Sequence, residues 1–173
     1  AALGGYYAAW RDSSRMSAPP HISQVMFSNR FSPGDPILQR FPEMATDGSR
    51  IYFPQIENGH PGLGEVLIAD GETGTVPFPE ELAAPWVDDI SPDGFQLLLG
   101  NHLSTEPEQP LWIASTIGGA AHRIPGILAH DAAWMPDGRH IIYASGNELH
   151  IAQDDGTESR NFVALPGRAF WLR

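Results

Sequence analysis

The chain has 173 residues and a formal net charge of −11, with 21 Asp and Glu set against ten basic residues that are all arginine. An acidic surface repels phosphate backbones, which sets nucleic acid aside as a partner of this segment. The absence of cysteine rules out disulfides and thiolate metal sites, while an apolar fraction of 42% with 18 Gly and 16 Pro suits many short strands joined by tight turns.

The chain opens Ala1-Ala2-Leu3-Gly4-Gly5-Tyr6-Tyr7-Ala8-Ala9-Trp10-Arg11. A membrane span needs about 20 apolar residues, and this stretch has half of that. Small residues closing on Tyr, Trp and Arg suit the last turns of a membrane helix ending near residue 11, because aromatics sit at the interface and Arg stops insertion. The alternative is a plain N-terminal tail. Both ends of the chain read as cut, and no signal peptide is visible. Residues 11–20 are polar and proline-ended and read as a linker, so 1–20 form a membrane-proximal segment. Residues 21–28, His-Ile-Ser-Gln-Val-Met-Phe-Ser, read as a strand.

A segment then recurs three times. Its turn is Ala45-Thr46-Asp47-Gly48, then Ser91-Pro92-Asp93-Gly94, then Met135-Pro136-Asp137-Gly138, with the aspartates 46 and 44 residues apart. Pro presets φ for the second position and Gly accepts a positive φ at the end, so Asp47, Gly48, Asp93, Gly94, Asp137 and Gly138 are expected to be structural turn residues. Apolar triplets follow: Ile51-Tyr52-Phe53, Leu97-Leu98-Leu99 and Ile141-Ile142-Tyr143. Variable loops come next, Glu57 to Leu63, Asn101 to Gln109 and Ser145-Gly146-Asn147. Third strands end in Ile-Ala at Ile68-Ala69, Ile113-Ala114 and Ile151-Ala152. Hairpin glycines follow at Gly71, Gly118-Gly119 and Gly156, and fourth strands at Thr75–Phe78, His122–Ile124 and Arg160–Val163. Pro77 and Pro79 suit an outer edge strand, where a ladder N–H is not required.

Four strands per repeat in meander order, at a period in the forties, predict an all-β partial β-propeller of about three four-stranded antiparallel blades. It would occupy residues 21–173. The blades fall at about 38–80, 81–126 and 127–166, and a fourth starts at 167–173. Three blades do not close a ring, so the chain reads as a piece of a larger protein, with exposed flanks that favour self-association. A complete open sandwich of three sheets is the alternative.

Counting back from the turn aspartates places Met44, Ile90 and Trp134 at buried positions, with Glu43, Asp89 and Ala133 facing the other way. Asp88, Asp89, His130 and Asp131 fall near the expected channel mouth, where an acidic surface could hold a cation, an amine or a basic peptide. The competing reading has these aspartates capping turns or bonding neighbouring N–H groups. His140 and His150 fall on adjacent strands and could be cross-strand neighbours, but two imidazoles make a poor metal site, and no metal is expected. Asp154-Asp155-Gly156-Thr157 reads as a hairpin, without the spacing of a calcium loop. Trp86, Trp112, Trp134 and Trp171 read as packing residues. There is no G-x-S-x-G, no Walker loop and no G-x-G-x-x-G, so no catalytic residue and no cofactor are expected.

The repeats resemble the TolB-type, WD-repeat-like propeller family, through hydrophobic-S-P-D-G followed by hydrophobic pairs and a Leu-Trp strand with a D-G turn. The first repeat departs, with Ala45-Thr46 for Ser-Pro, and the second uses Thr116-Ile117-Gly118-Gly119 at its hairpin. The run Thr46–Phe53, together with Ala129-His130-Asp131-Ala132-Ala133-Trp134, is similar to the C-terminal propeller of CadC-like winged-helix transmembrane regulators. That resemblance implies a non-catalytic sensor on the periplasmic side of a bacterial inner membrane, binding a protein or small molecule at the propeller face. The alternatives are the propeller of a prolyl-oligopeptidase-like serine peptidase, with its catalytic domain outside this chain, and a TolB-like periplasmic adaptor.

Overall fold

The computed structural model describes residues 43–102, 106–170 and 172. The expectations for the membrane-like start, the linker, the strand at 21–28 and Trp171 lie outside the described residues. Among the described residues every regular element is a strand, and the strands form three four-stranded sheets. Sheet one is β1 (Ala45–Thr46), β2 (Arg50–Glu57), β3 (His60–Leu67) and β4 (Thr73–Val76). Sheet two is β5 (Pro85–Ile90), β6 (Gln96–Asn101), β7 (Gln109–Ser115) and β8 (Ala121–Ala129). Sheet three is β9 (Asp131–Trp134), β10 (His140–Ser145), β11 (Glu148–Gln153) and β12 (Arg160–Ala164). Each sheet is an antiparallel meander of consecutive strands. The first strands β1, β5 and β9 are neighbours, which puts them on the inside of a partial propeller of three blades.

The apolar triplets follow from burial on both faces of a blade. In a strand, successive side chains point to opposite faces. Leu97 and Leu99 enter the core shared with sheet one, beside Tyr52, Leu63, Val76 and Val87. Leu98 enters the core shared with sheet three, beside Ile113, Ile124, Trp134, Ile141 and Tyr143. All three leucines are fully buried. Each such side chain contributes about 2 kcal/mol by leaving water.

In the three Asp-Gly turns Gly48, Gly94 and Gly138 take φ of 87°, 78° and 65°. Each aspartate organises its own turn. Asp47 Oδ1 accepts from the backbone N–H of Ser49 and of Arg50, both at 2.7 Å. Asp93 Oδ1 accepts from the Ser91 hydroxyl at 2.6 Å and the Phe95 N–H at 3.1 Å. Asp137 Oδ1 accepts from the N–H groups of Arg139 and His140, both at 3.0 Å, and its Oδ2 lies 2.6 Å from His140 Nδ1.

A second joint recurs at the outer edge. The hairpin glycine of each later sheet sits on a proline that follows the fourth strand's apolar residue in the sheet before. A Cβ on Gly118 would come within 2.6 Å of Pro77 Cδ, and one on Gly156 within 2.6 Å of the Pro125 carbonyl oxygen. The Gly119 N–H donates to the Pro77 carbonyl at 2.8 Å.

Several expectations are corrected. Met44 is 57% exposed rather than buried, because β1 is only two residues long and begins after it. Ile90 is half-buried and Trp134 is buried. The Glu57–Leu63 loop closes to Asn58-Gly59, at φ of 52° and 80°, with Glu57 paired to His60. Asn-Gly is the dipeptide a two-residue hairpin with two positive φ angles requires. His140 pairs with Gln153 and His150 with Tyr143, so the two histidines are three register steps apart. His150 instead stacks on Tyr143, with ring centroids 5.1 Å apart.

Two outcomes follow from these joints. Gly118→Ala and Gly156→Ala each add a positive-φ penalty of about 1–2 kcal/mol and a collision with the preceding blade, and are expected to lower stability by about 3 kcal/mol in urea unfolding. Gly119→Ala, with the same strain and open space around its Cβ, is expected to cost only the strain. The Arg139 N–H, then the His140 ring and N–H, hold the Asp137 carboxyl down to about 2. A depressed carboxyl contributes stability that is complete above its ordinary value of 3.8 and is lost as pH falls through about 2. Carboxyl NMR titration is expected to show that midpoint, and Asp137→Asn to remove this part of the acid-limb loss.

Candidate functional site

In each blade, the turns between first and second strands and between third and fourth lie at one end. The loops between second and third strands, and the connections to the next blade, lie at the other. The residues singled out in the sequence divide between mid-strand positions and this second end.

Asp88 is the extra residue of a bulge in β5, where Val87 pairs with Leu99 and Asp89 with Leu98. A bulge re-aims the side chains around it. The Asp88 carboxyl is 1% exposed and lies against Gly100. Asp89, the next residue, reaches the neighbouring blade, where its Oδ2 accepts from the Trp134 backbone N–H at 2.8 Å. It thereby ties the inner strands of sheets two and three. Asp131 pairs opposite Ala144 and is 1% exposed. His130 precedes β9 and is 3% exposed. Three of the four residues expected at an open channel mouth are therefore buried, and the fourth is engaged with a backbone N–H.

The structure gathers a different group around His130. Its Nδ1 lies 2.9 Å from Glu108 Oε2, and its Nε2 lies 2.8 Å from the Ala169 carbonyl oxygen. A carbonyl can only accept, so Nε2 donates there. The Phe170 ring covers the imidazole with centroids 4.9 Å apart. Glu108 Oε1 accepts from the Gly146 N–H at 2.9 Å and from the Arg168 guanidinium, whose Nη2 is also 3.0 Å from His130 Nδ1. One carboxylate thus joins the loop of sheet two, the β10–β11 turn of sheet three and the segment after β12. Burial pushes the Glu108 carboxyl up. The bonds from His130 and Gly146 and the charges of His130 and Arg168 outweigh that push and hold it below its ordinary value.

Glu108, Arg168 and Gly146 were not singled out in the sequence. The available signal was loop length: sheets one and three turn here in two residues, Asn58-Gly59 and Gly146-Asn147, whereas seven residues separate β6 from β7. A loop that much longer than its counterparts is where function or bracing concentrates.

Chemically, this arrangement clamps. Among the described residues, no group of three or more His, Asp or Glu side chains is placed to hold a metal ion. Among the described residues, no helix is long and apolar enough to cross a membrane.

No family model matches this chain and no curated protein matches it. Solved structures do. A protein described as TolB from Agrobacterium tumefaciens matches 73% of this chain and 50% of its own, with a TM-score of 0.57 and 14% identity. A chain of a nidogen–laminin complex matches 72% of this chain and 49% of its own, with a TM-score of 0.55 and 16% identity. The β-propeller domain of the trilobed protease from Pyrococcus furiosus matches 69% of this chain and 42% of its own, with a TM-score of 0.50 and 11% identity. These likenesses establish the propeller fold, and the chain spans half or less of the length of each.

Removing the Glu108 carboxylate leaves the Gly146 N–H and the Arg168 guanidinium without their acceptor. Glu108→Ala is expected to destabilise the protein by about 2 kcal/mol in chemical unfolding. The carboxyl of Glu108 is depressed, so the stability it contributes is present above its ordinary value of 4.5 and is lost as pH falls through the lower folded value. The wild type and the variant are therefore expected to converge in stability at acid pH.

Proposed function

We propose that this chain is a non-catalytic binding module, the sensor part of a membrane-anchored transcriptional regulator, which presents its loop ends to a protein or small-molecule ligand on the periplasmic side. The observation that carries the binding reading is the commitment of the polar residues to bracing. His130 is enclosed by Glu108, Ala169 and Phe170, and Asp89 caps Trp134. Groups fixed in this way hold loops in place and do not perform acid–base work on a substrate. Propellers are scaffolds whose function is set by the loops grafted on them. The likeness to a chain of a nidogen–laminin complex supports protein binding by such a surface. The regulator assignment rests on the CadC-like run at Thr46–Phe53 and on the membrane-like residues that precede the blades. Of Asp88, Asp89, His130 and Asp131, the last two mark the end of the module where ligand would be met, with the partly exposed Glu108 side chain beside them, while Asp88 and Asp89 lie farther along β5 toward its Asp-Gly turn.

A second reading, the propeller of a serine peptidase, is favoured by the likeness to the propeller domain of the trilobed protease. A TolB-like adaptor is favoured by the likeness to the Agrobacterium protein. The complete reading frame in genomic DNA separates the three. A winged helix and a membrane helix upstream are expected. A downstream G-x-S-x-G hydrolase domain would replace this reading by the peptidase one, and a cleavable signal peptide by the adaptor.

A further inference from the structure

The opposite end of the molecule carries a feature that bracing does not explain. In sheet two, the residue after the Asp-Gly turn is Phe95 and the residue before the hairpin glycine is Ile117. They are 71% and 81% exposed. Their counterparts in the sister blades are polar: Ser49 and Arg139 for Phe95, Asp70 and Asp155 for Ile117. Nothing in the turn geometry requires the exchange. Gly94 and Gly118 take the same positive φ as their counterparts. The two turns are also tied together, since the Phe95 carbonyl oxygen accepts from the Thr116 N–H at 3.1 Å and from the Thr116 hydroxyl at 3.3 Å. The two turns that carry the apolar pair are thus tied to each other, and a single exposed apolar residue is ordinary whereas apolar residues replacing polar ones in two joined turns are not.

Beside the pair lies an open cavity of about 360 Å³ between the Asp-Gly turns of sheets one and two. Phe95 forms one wall, and Asp47, Ser49, Ser91 and Asp93 line the rest. Its charged side chains are the carboxylates of Asp47 and Asp93. Asp47 Oδ2 accepts from the Tyr52 hydroxyl at 3.1 Å, and the Arg50 guanidinium, 3.3 Å from Glu65, also acts on Asp47, whereas Asp93 bonds the Ser91 hydroxyl and the Phe95 N–H. The surface therefore offers two apolar side chains and, next to them, an anionic recess of side-chain dimensions.

We propose that this end of sheet two, centred on Phe95 and Ile117, docks an extended segment of a partner protein in which a large apolar residue adjoins an arginine or lysine. The apolar residue packs on Phe95 and Ile117, and the cation enters the recess toward Asp47 and Asp93. Charge complementarity decides the occupant, since an acidic segment would bring like charge against Asp47 and Asp93, and a purely apolar one would cover Asp93, held by the Ser91 hydroxyl and the Phe95 N–H, without supplying a counter-charge. The proposal rests on the binding-module reading above and assigns it a surface remote from the His130 end.

The test is an amide NMR titration of the chain with acetyl-Gly-Leu-Arg-Leu-Gly-amide, and with the same peptide carrying Glu in place of Arg. The Arg peptide is expected to shift the amides of Gly94, Phe95 and Ile117 saturably, and the Glu peptide to bind at least about tenfold more weakly. Phe95→Ser with Ile117→Asp, which restores the residue types of the sister blades, is expected to keep the melting temperature and to weaken the Arg peptide by about tenfold or more. Absence of shifts at these three amides, or equal binding by the variant, overturns the proposal. Saturable shifts confined to residues around Glu108 and His130 overturn it while leaving the binding-module reading in place.

Discussion

Burial of a blade on both of its faces is the constraint from which the rest of this structure follows. Sheet two is the clearest case. Leu97 and Leu99 point into one core and Leu98 into the other, and none of the three is reached by water. A sheet with one wet face would alternate apolar and polar residues. The chain instead writes three apolar residues in a row after each turn, because each of those strands is meant to lie between neighbours. Sheet three shows the consequence at its outer side. Ile142, the counterpart of Leu98, is only half-buried, and Phe162, which occupies the place of Ile124 on the fourth strand, is 56% exposed where Ile124 is fully buried.

Stacking sheets this way demands that successive blades keep the same tilt and spacing, and two small joints maintain it. At the outer edge a hairpin glycine closes on the proline of the preceding blade, at Gly118 on Pro77 and Gly156 on Pro125. On the inside, Asp89 reaches across to the Trp134 N–H. Neither joint buries much area. Each works by geometry: a Cβ at the glycine would push the sheets apart, and an inner-strand N–H without an acceptor would cost the desolvation of a buried donor. The apolar core supplies the energy and these joints fix the register in which it is collected.

Bracing also explains why polar residues that look like a site are not an open one. Propeller loops carry function only if they are held still. Glu108 does this by meeting a backbone N–H, a guanidinium and an imidazole at once, drawn from three different connections. At the other end of the molecule the turns hold themselves, each aspartate bonded to residues within five positions of it in the chain, and there the side chains that face water are free to differ from blade to blade. Phe95 and Ile117 differ most, which is why the molecule's two ends read so differently: one is knit together, the other is decorated.

The sequence by itself determined the repeat, the three turns, the hairpin glycines and therefore the strand order, because each depends on residues a few positions apart: Asp and Gly for a positive φ, apolar triplets for a strand buried on both faces. It also contained the Asn58-Gly59 hairpin, whose local signal was overshadowed by the expectation of a loop of variable length. The tertiary structure alone decided what was near what. The bulge at Asp88, the three-step offset between His140 and His150, the exposure of Met44 and the meeting of Glu108 with His130 and Arg168, 22 and 60 residues away, depend on register and on blade contact. Turn chemistry is local and can be read in order along the chain. Contacts between blades arise only once two sheets face each other, and no short stretch of sequence encodes them.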